Sequence, residues 1–373
     1  MDRIDRARLD TYFQQIIQRF PMPREITSLV ITHLLPERPA FLGALSGITR
    51  IAAVLPKPRS IDQATLEVVR ALHPVHELSR KRFADPVTAL HFLEDVAAGQ
   101  QVVLLDIGGY FADSLHTLAE KFSGRILGVV EDTENGHQQY AALDRLPCPV
   151  VSVARSPLKE PEDHLVGRSI VFSTEALLRT RGDILTGRQA TVIGFGKIGR
   201  SIAHTLRAQD LHVTVFDNSP LKQVQAHSQG FRTAESCREA IRDAGLVICA
   251  TGNLALRKAD FVALRNGAYL AAATSSDDEL ELSALNGLYR RRGTSNHLTR
   301  YERHGHSFHL LADGGAVNFV HRAVVGTFIH LVQGEILAAA ASITKGGIEA
   351  GIHEVSTDDR QDIARIWLKH FLR

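Results

Sequence analysis

Cysteine is scarce in this 373-residue chain: only Cys148, Cys237 and Cys249 occur, far apart and matching no metal or disulfide spacing. A reducing cytoplasm is the expected location. Neither sign of charge is in excess, with 43 Lys and Arg against 41 Asp and Glu, so nothing in the balance favours nucleic acid or an anionic membrane as a partner. The amino end, MDRIDRARLDTYFQQIIQRF, lacks a basic tip followed by an apolar core, which excludes a signal peptide or membrane anchor there. Low-complexity tracts and short-period repeats are also missing.

What is present is a globular composition, 44% hydrophobic and 23% charged, at a length that suggests two domains. Ile4, Leu9, Phe13, Ile16, Ile17 and Phe20 fall near helical spacing, which predicts an amphipathic helix that docks within its own protomer. Beyond it, ITSLVITHLL, ITRIAAVLP, VVLLDIGG, RILGVVED and PVVSVA are apolar runs of strand length, separated by helical stretches such as SIDQATLEVVRALH. That alternation predicts a parallel sheet covered by helices on both faces. After the polar segment RSPLKEPEDHLVGR, SIVFSTEALLRTRGDILTG reads as a long helix crossing between domains. QATVIGFG, HVTVFD, LVICATG and AYLAAAT then supply a second parallel sheet. The fold class is therefore α/β, with two Rossmann-like doubly wound domains.

In TVIGFGKIGR, the loop Gly194-Phe195-Gly196-Lys197-Ile198-Gly199 follows a strand, opens a helix, and is followed by a strand ending at Asp217. Gly194 allows the tight turn, Gly196 lets backbone approach a pyrophosphate, and Gly199 lets the helix pack on the strand. The helix N-terminus holds the phosphate charge. Asp217 would accept from the adenosine ribose hydroxyls and repel a 2′-phosphate, which favours NAD over NADP. Thr251, Gly252 and Asn253 end another strand, at the edge where the nicotinamide half would pass.

Seven blocks, LLDIGGYFADSLH, GVVEDTENG, SVARSPLKEPEDH, VIGFGKIGRSIAHTLRA, CATGN, HLLADGGAVNF and GIEAGIHEVSTDDRQDIARIWL, resemble the S-adenosylhomocysteine hydrolases in order and interval. The resemblance implies a retained NAD that oxidises a ribose 3′-hydroxyl, acidifies the neighbouring C–H, permits loss or addition of a 5′ group, and returns the hydride. It implies Lys159 as the base for the hydroxyl, with Asp163 four residues later tuning it from the same helix face. Asp132, in place of the family's glutamate, or His164, in place of an asparagine, would handle the second proton. Thr133 matches a threonine contacting NAD, with Glu134 and Asn135 replacing two others, and Asn318 matches the asparagine at the nicotinamide carboxamide. The implied domains are a substrate and catalytic domain over 1–165, completed by 330–373, and an NAD-binding domain over 166–329.

Departures from that family are as informative. Ile107 and Tyr110 stand where it has acids, and Ser275 and Val325 where it has histidines lining the site. Its adenosine-recognition segment has no counterpart before Val102. The chain stops at Arg373, without the extension whose Lys and Tyr close over a neighbouring subunit's NAD. Each lost polar contact in a buried pocket costs about 1 to 3 kcal/mol, so S-adenosylhomocysteine itself is not the expected substrate. The expectation is an NAD-dependent enzyme that oxidises a secondary hydroxyl of a small nucleoside- or sugar-like substrate, with transient oxidation coupled to elimination or addition as one form of it. The alternatives are a net dehydrogenase and a non-catalytic NAD-bound regulatory or scaffold protein.

Three further stretches are read as structural. His304, His306 and His309 suggest a hairpin turning at His304-Gly305 in preference to a metal site, and no metal is expected. TKGGIEAG is a helix stop at Gly346-Gly347, and Asp277, Asp278 and Glu279 form a helix N-terminus. The apolar faces of VGTFIHLVQGEILAAAASI point to a homodimer or higher homo-oligomer.

Overall fold

The computed structural model describes residues 3–23, 25–274, 279–295 and 297–372. It divides into two compact units, residues 1–159 with 326–373, and residues 160–325. In chain order the strands are β1 (Thr27–Leu34), β2 (Arg50–Ile61), β3 (Gln101–Asp106), β4 (Arg125–Glu131), β5 (Pro149–Ser152), β6 (Gln189–Ile193), β7 (His212–Phe216), β8 (Arg232–Thr233), β9 (Leu246–Cys249), β10 (Ala268–Ala272), β11 (Arg290–Ser295), β12 (Leu298–Arg303), β13 (His306–Leu311) and β14 (Gly351–His353).

The first unit is a parallel sheet in the order β14-β5-β4-β3-β1-β2. Its central strands are buried on both faces, which is why they read as unbroken Val/Leu/Ile runs instead of an alternation. The chain lays β2 on one side of β1 and β3 on the other, so the strand order reverses between β1 and β3, the place where open sheets of this kind bind ligands.

One face is covered by the helices Arg3–Arg19, Ile329–Lys345 and Thr357–Phe371. The amino-terminal helix buries Leu9, Phe13 and Ile16 in its own unit, as its periodicity predicts, with Phe20 buried just past its end, while Ile4 stays exposed. Tyr12 joins them: its hydroxyl donates to His330 O at 2.7 Å, and a Cβ at Gly334 would stand 2.5 Å from the Tyr12 hydroxyl oxygen.

Ile329–Lys345 removes one of the grounds for expecting subunit association. Its apolar surface, taken as a sign of subunit association, is buried around nearly the whole helix by the first unit's own core. The stretch Gly326–Lys345 is long and apolar enough to cross a membrane, but 72% of its apolar window is buried within the fold. The helix stops where Gly346 and Gly347 adopt φ 74° and 83°.

In the second unit the order is β11-β12-β13-β10-β9-β6-β7-β8. β6 to β10 and β13 pair in parallel, and β11 and β12 extend the sheet as an antiparallel meander. The order reverses between β6 and β9, as in dinucleotide-binding sheets. The helix that opens this unit runs Glu160–Arg179, starting well before the expected Ser169. The polar residues that looked like linker are its first turn: Glu160, Glu162 and Asp163 favour the positive end of the dipole, and Pro161 is tolerated there.

The β12–β13 hairpin turns at His304 (φ 36°) and Gly305 (φ 78°), as expected. His306 is held between the Tyr289 hydroxyl (2.8 Å) and Leu264 O (2.7 Å). His309 stacks on Tyr269, and burial lowers its pKa to about 4.

Candidate functional site

In the second unit each glycine of the loop meets a different constraint. Gly194 has φ 95°, and a Cβ there would lie 2.7 Å from Ala250 O. At Gly199 a Cβ would fall 1.9 Å from Gly194 O, so the helix Lys197–Arg207 packs on the strand only through a bare glycine. Gly196 caps that helix, and a Cβ there would meet nothing within 4 Å. The space at Gly196 is thus left open by the fold, as a phosphate cradle requires.

Asp217 closes the loop from the end of β7. Its Oδ2 accepts from Phe195 N–H at 2.7 Å and its Oδ1 from Ser219 N–H at 2.8 Å. Each carboxylate oxygen retains a lone pair for a ribose hydroxyl. Phe195 is buried against Phe231, Ile198 packs on the unit's core, and Lys197 Nζ lies 3.7 Å from Asp163 Oδ2.

After β9 the Thr251-Gly252-Asn253 turn is self-bonded, Thr251 donating its hydroxyl to Asn253 O (2.5 Å) and accepting from Asn253 N–H (3.1 Å). Beneath it lies a residue whose role the sequence pattern hid. Glu279 is buried, accepts from Thr251 N–H and the Thr274 hydroxyl, both at 2.6 Å, and is pushed up to about 7 by burial. It is not at the expected helix N-terminus; Leu280 bridges to Leu256, which carries the carboxylate under the turn. Asp277, Asp278 and Ser275 lie outside the described residues.

Asn318 completes this edge, in the turn Val317–His321 beyond Ala316, which bridges to Ala272 at the end of β10. The side chain is buried, and its Oδ1 has no hydrogen-bond partner. A buried amide oxygen is costly to leave unpaired, and the carboxamide N–H of a nicotinamide is a donor that fits it. The open Gly196 face and the orphaned Asn318 oxygen both suit NAD.

At the carboxyl edge of the first unit, Lys159 Nζ donates to Asp132 Oδ1 at 2.9 Å, both side chains being largely buried. The spacing rule pointed to Asp163. Lys159 precedes the helix that begins at Glu160, so its place is set by the end of β4, where Asp132 N–H donates to Asp106 O. His164, in the second unit, has an exposed side chain, and its carbonyl accepts from the Ser201 hydroxyl at 2.6 Å.

Thr133 caps the helix Glu134–Ala141 by accepting from Gly136 N–H, and donates its own N–H and hydroxyl to Glu131 Oε1, both at 2.7 Å. Glu131 also accepts from Gly108 N–H and Gly109 N–H, each at 3.0 Å. Burial, and Asp106 nearby, push it up to about 8. This carboxyl, which the sequence reading passed over, clamps the loop after β3. Its one local signal is Gly136, where a Cβ would overlap the Glu131 carboxyl at 2.1 Å. Ile107 and Tyr110 on that loop are buried, as is Val325.

Residues 168–324 match the profile of a family described as S-adenosyl-L-homocysteine hydrolase, NAD binding domain. An adenosylhomocysteinase of Sulfolobus acidocaldarius is 27% identical over 72% of this chain and 66% of its own length. One from Thermotoga maritima is 31% identical over 58% of this chain and 54% of its own. An S-inosyl-L-homocysteine hydrolase of Methanopyrus kandleri is 26% identical over 74% and 67%. The chain thus aligns with about half to two thirds of the length of these relatives.

Proposed function

The chain is a divergent member of the S-adenosylhomocysteine hydrolase superfamily with NAD as its cofactor, and from that premise we propose that it oxidises a secondary hydroxyl of a small nucleoside- or sugar-like substrate. The observation that carries this reading is the Lys159–Asp132 pair, an amine and a carboxylate at 2.9 Å, largely buried at the carboxyl edge of the first unit's sheet. Bound to the second unit, NAD supplies the hydride acceptor that turns a carbinol into a ketone. Lys159 takes the hydroxyl proton, and Asp132 holds the amine in place and exchanges a proton with it. Gly194, Gly196, Gly199 and Asp217 hold the adenosine and phosphate half of the cofactor, and Thr251 to Asn253 with Asn318 hold the nicotinamide half.

The relatives act on S-adenosyl- and S-inosyl-homocysteine by name, which supports a nucleoside-like substrate. Ile107 and Tyr110, in place of two acids, argue against S-adenosylhomocysteine itself. The enzyme is proposed to be cytoplasmic and to assemble as a homodimer or higher homo-oligomer.

The test is to denature purified protein and assay the supernatant for NAD and NADH. Tightly held cofactor, part of it reduced, is expected. Lys159→Met should keep that cofactor content while turnover on a responsive nucleoside or sugar falls about 100-fold or more. Absence of any cofactor, together with failure of added NAD to bind, would overturn the reading.

A further inference from the structure

The second unit has a cleft of about 610 Å³ beside the β12–β13 hairpin, and it gathers arginines that no described carboxylate balances. We propose that this cleft binds the phosphate group of a small molecule, at the opposite edge of the sheet from the cofactor loop. Asn266, just before β10, and His306, the first residue of β13, both line it, so it sits at the amino ends of two parallel strands. Thr251 follows β9, and Asn318 lies beyond the bridge at the end of β10. One strand length, about 17 to 20 Å, therefore separates the cleft from the cofactor edge. Its volume is of the size that takes a small organic ligand.

Strands β11 and β12 carry five arginines, at positions 290, 291, 292, 300 and 303. Arg291 pairs with Asp313 at 2.9 Å, Arg292 pairs with Glu302, and Arg300 Nε lies 3.7 Å from Glu302 Oε2. Arg290 stands directly across from Glu302 in the β11–β12 register, but that carboxylate is engaged by Arg292 and Arg300. Arg290 makes no ion pair with any described residue, and neither does Arg303, whose guanidinium lies 5.7 Å from the centre of the Tyr289 ring. Both unbalanced arginines line the cleft with Arg300, whereas Arg291 and Arg292 do not. Guarding an edge strand against pairing with another sheet requires exposed charge. It does not require that the unpaired charges surround a recess.

The other polar side chains at the cleft are already engaged or offer donors. Ser307 N–H donates to Asn266 Oδ1 at 2.8 Å, which leaves the amide N–H groups of Asn266 as the end to spare. His306 has both ring nitrogens occupied, by the Tyr289 hydroxyl and by Leu264 O. Arg300 Nε is shielded from solvent without a hydrogen bond, and its Nη2 lies 3.5 Å from Ser307 Oγ. Three guanidiniums, of Arg290, Arg300 and Arg303, thus face the single carboxylate of Glu302. An excess of positive charge and of donors selects an anion, and guanidinium forks match phosphate oxygens two at a time.

The test is calorimetric titration of NAD-saturated protein with inorganic phosphate and with pyrophosphate, the cofactor occupying its own phosphate site. Pyrophosphate should bind with a Kd tighter than about 1 mM, more tightly than phosphate, and more weakly as salt is raised. Arg290→Gln and Arg303→Gln should each weaken that binding about 10-fold or more. Arg303→Lys, which keeps the charge and loses the fork, should restore only part of it. Arg290 is exposed and Arg303 is half-buried, so both variants should keep the parent's thermal unfolding and NAD affinity. The proposal is overturned if neither anion binds, or if both glutamine variants bind pyrophosphate like the parent, which would place the anion elsewhere. Neither arginine enters the cofactor site or the Lys159–Asp132 pair, so failure here leaves the redox reading standing. In protein that holds no NAD, the same two variants decide the cleft alone.

Discussion

A methyl group added at Gly196 meets open space, whereas one added at Gly199 meets Gly194 O at 1.9 Å. Gly196→Ala should therefore leave unfolding without cofactor within about 0.5 kcal/mol of the parent and weaken NAD binding about 10-fold or more. Gly199→Ala should destabilise the second unit by about 3 kcal/mol, because the clash is with backbone. Denaturant unfolding with and without NAD separates the two. Glu279 makes a prediction about pH. Its folded value of about 7 lies above the ordinary 4.5, so the folded state keeps a proton that the unfolded chain releases. Its contribution is fully present below 4.5 and is lost as the pH rises towards 7, by up to about 3 kcal/mol. Glu279→Gln should flatten the stability profile across that window. An unchanged slope would mean that the carboxyl titrates normally.

Among the elements, the amino-terminal helix was legible because Leu9, Phe13, Ile16 and Phe20 repeat at helical spacing on a charged background. Phe13 is 2% exposed and edge-on to Tyr12. Phe13→Ala should cost the first unit about 3 to 5 kcal/mol, measured by denaturant unfolding; a surface-docked helix would lose far less. The start of Glu160–Arg179 was not legible, because acids and a proline that favour a first turn look the same as a polar linker when their neighbours are unknown. The apolar faces of Ile329–Lys345 were read correctly as needing cover, but what covers them is the unit's own sheet and the helices Arg3–Arg19 and Thr357–Phe371.

For the molecule as a whole, NAD binding confined to residues 160–325 should appear in calorimetry as stabilisation of one unit. NAD at about 100 times its Kd adds about 2.7 kcal/mol to the state that binds it. Two transitions are therefore expected, with only the one belonging to 160–325 moving as NAD is added. A shift of both by the same amount would place the cofactor's energetic effect on the chain as a single cooperative body. A single transition that does not move would remove NAD from the account altogether.

Sequence by itself determined the α/β class, the pair of doubly wound sheets, the glycine loop and its cofactor, because each rests on spacing between residues close along the chain. Periodicity, turn chemistry and glycine geometry are local rules, and local rules survive in a one-dimensional record. Tertiary structure alone decided which distant groups meet: Lys159 with Asp132, Glu279 under Thr251, and the buried Asn318 oxygen left without a partner. Those meetings depend on strand order, register and the burial that shifts a carboxyl's pKa, and no spacing along the chain encodes them.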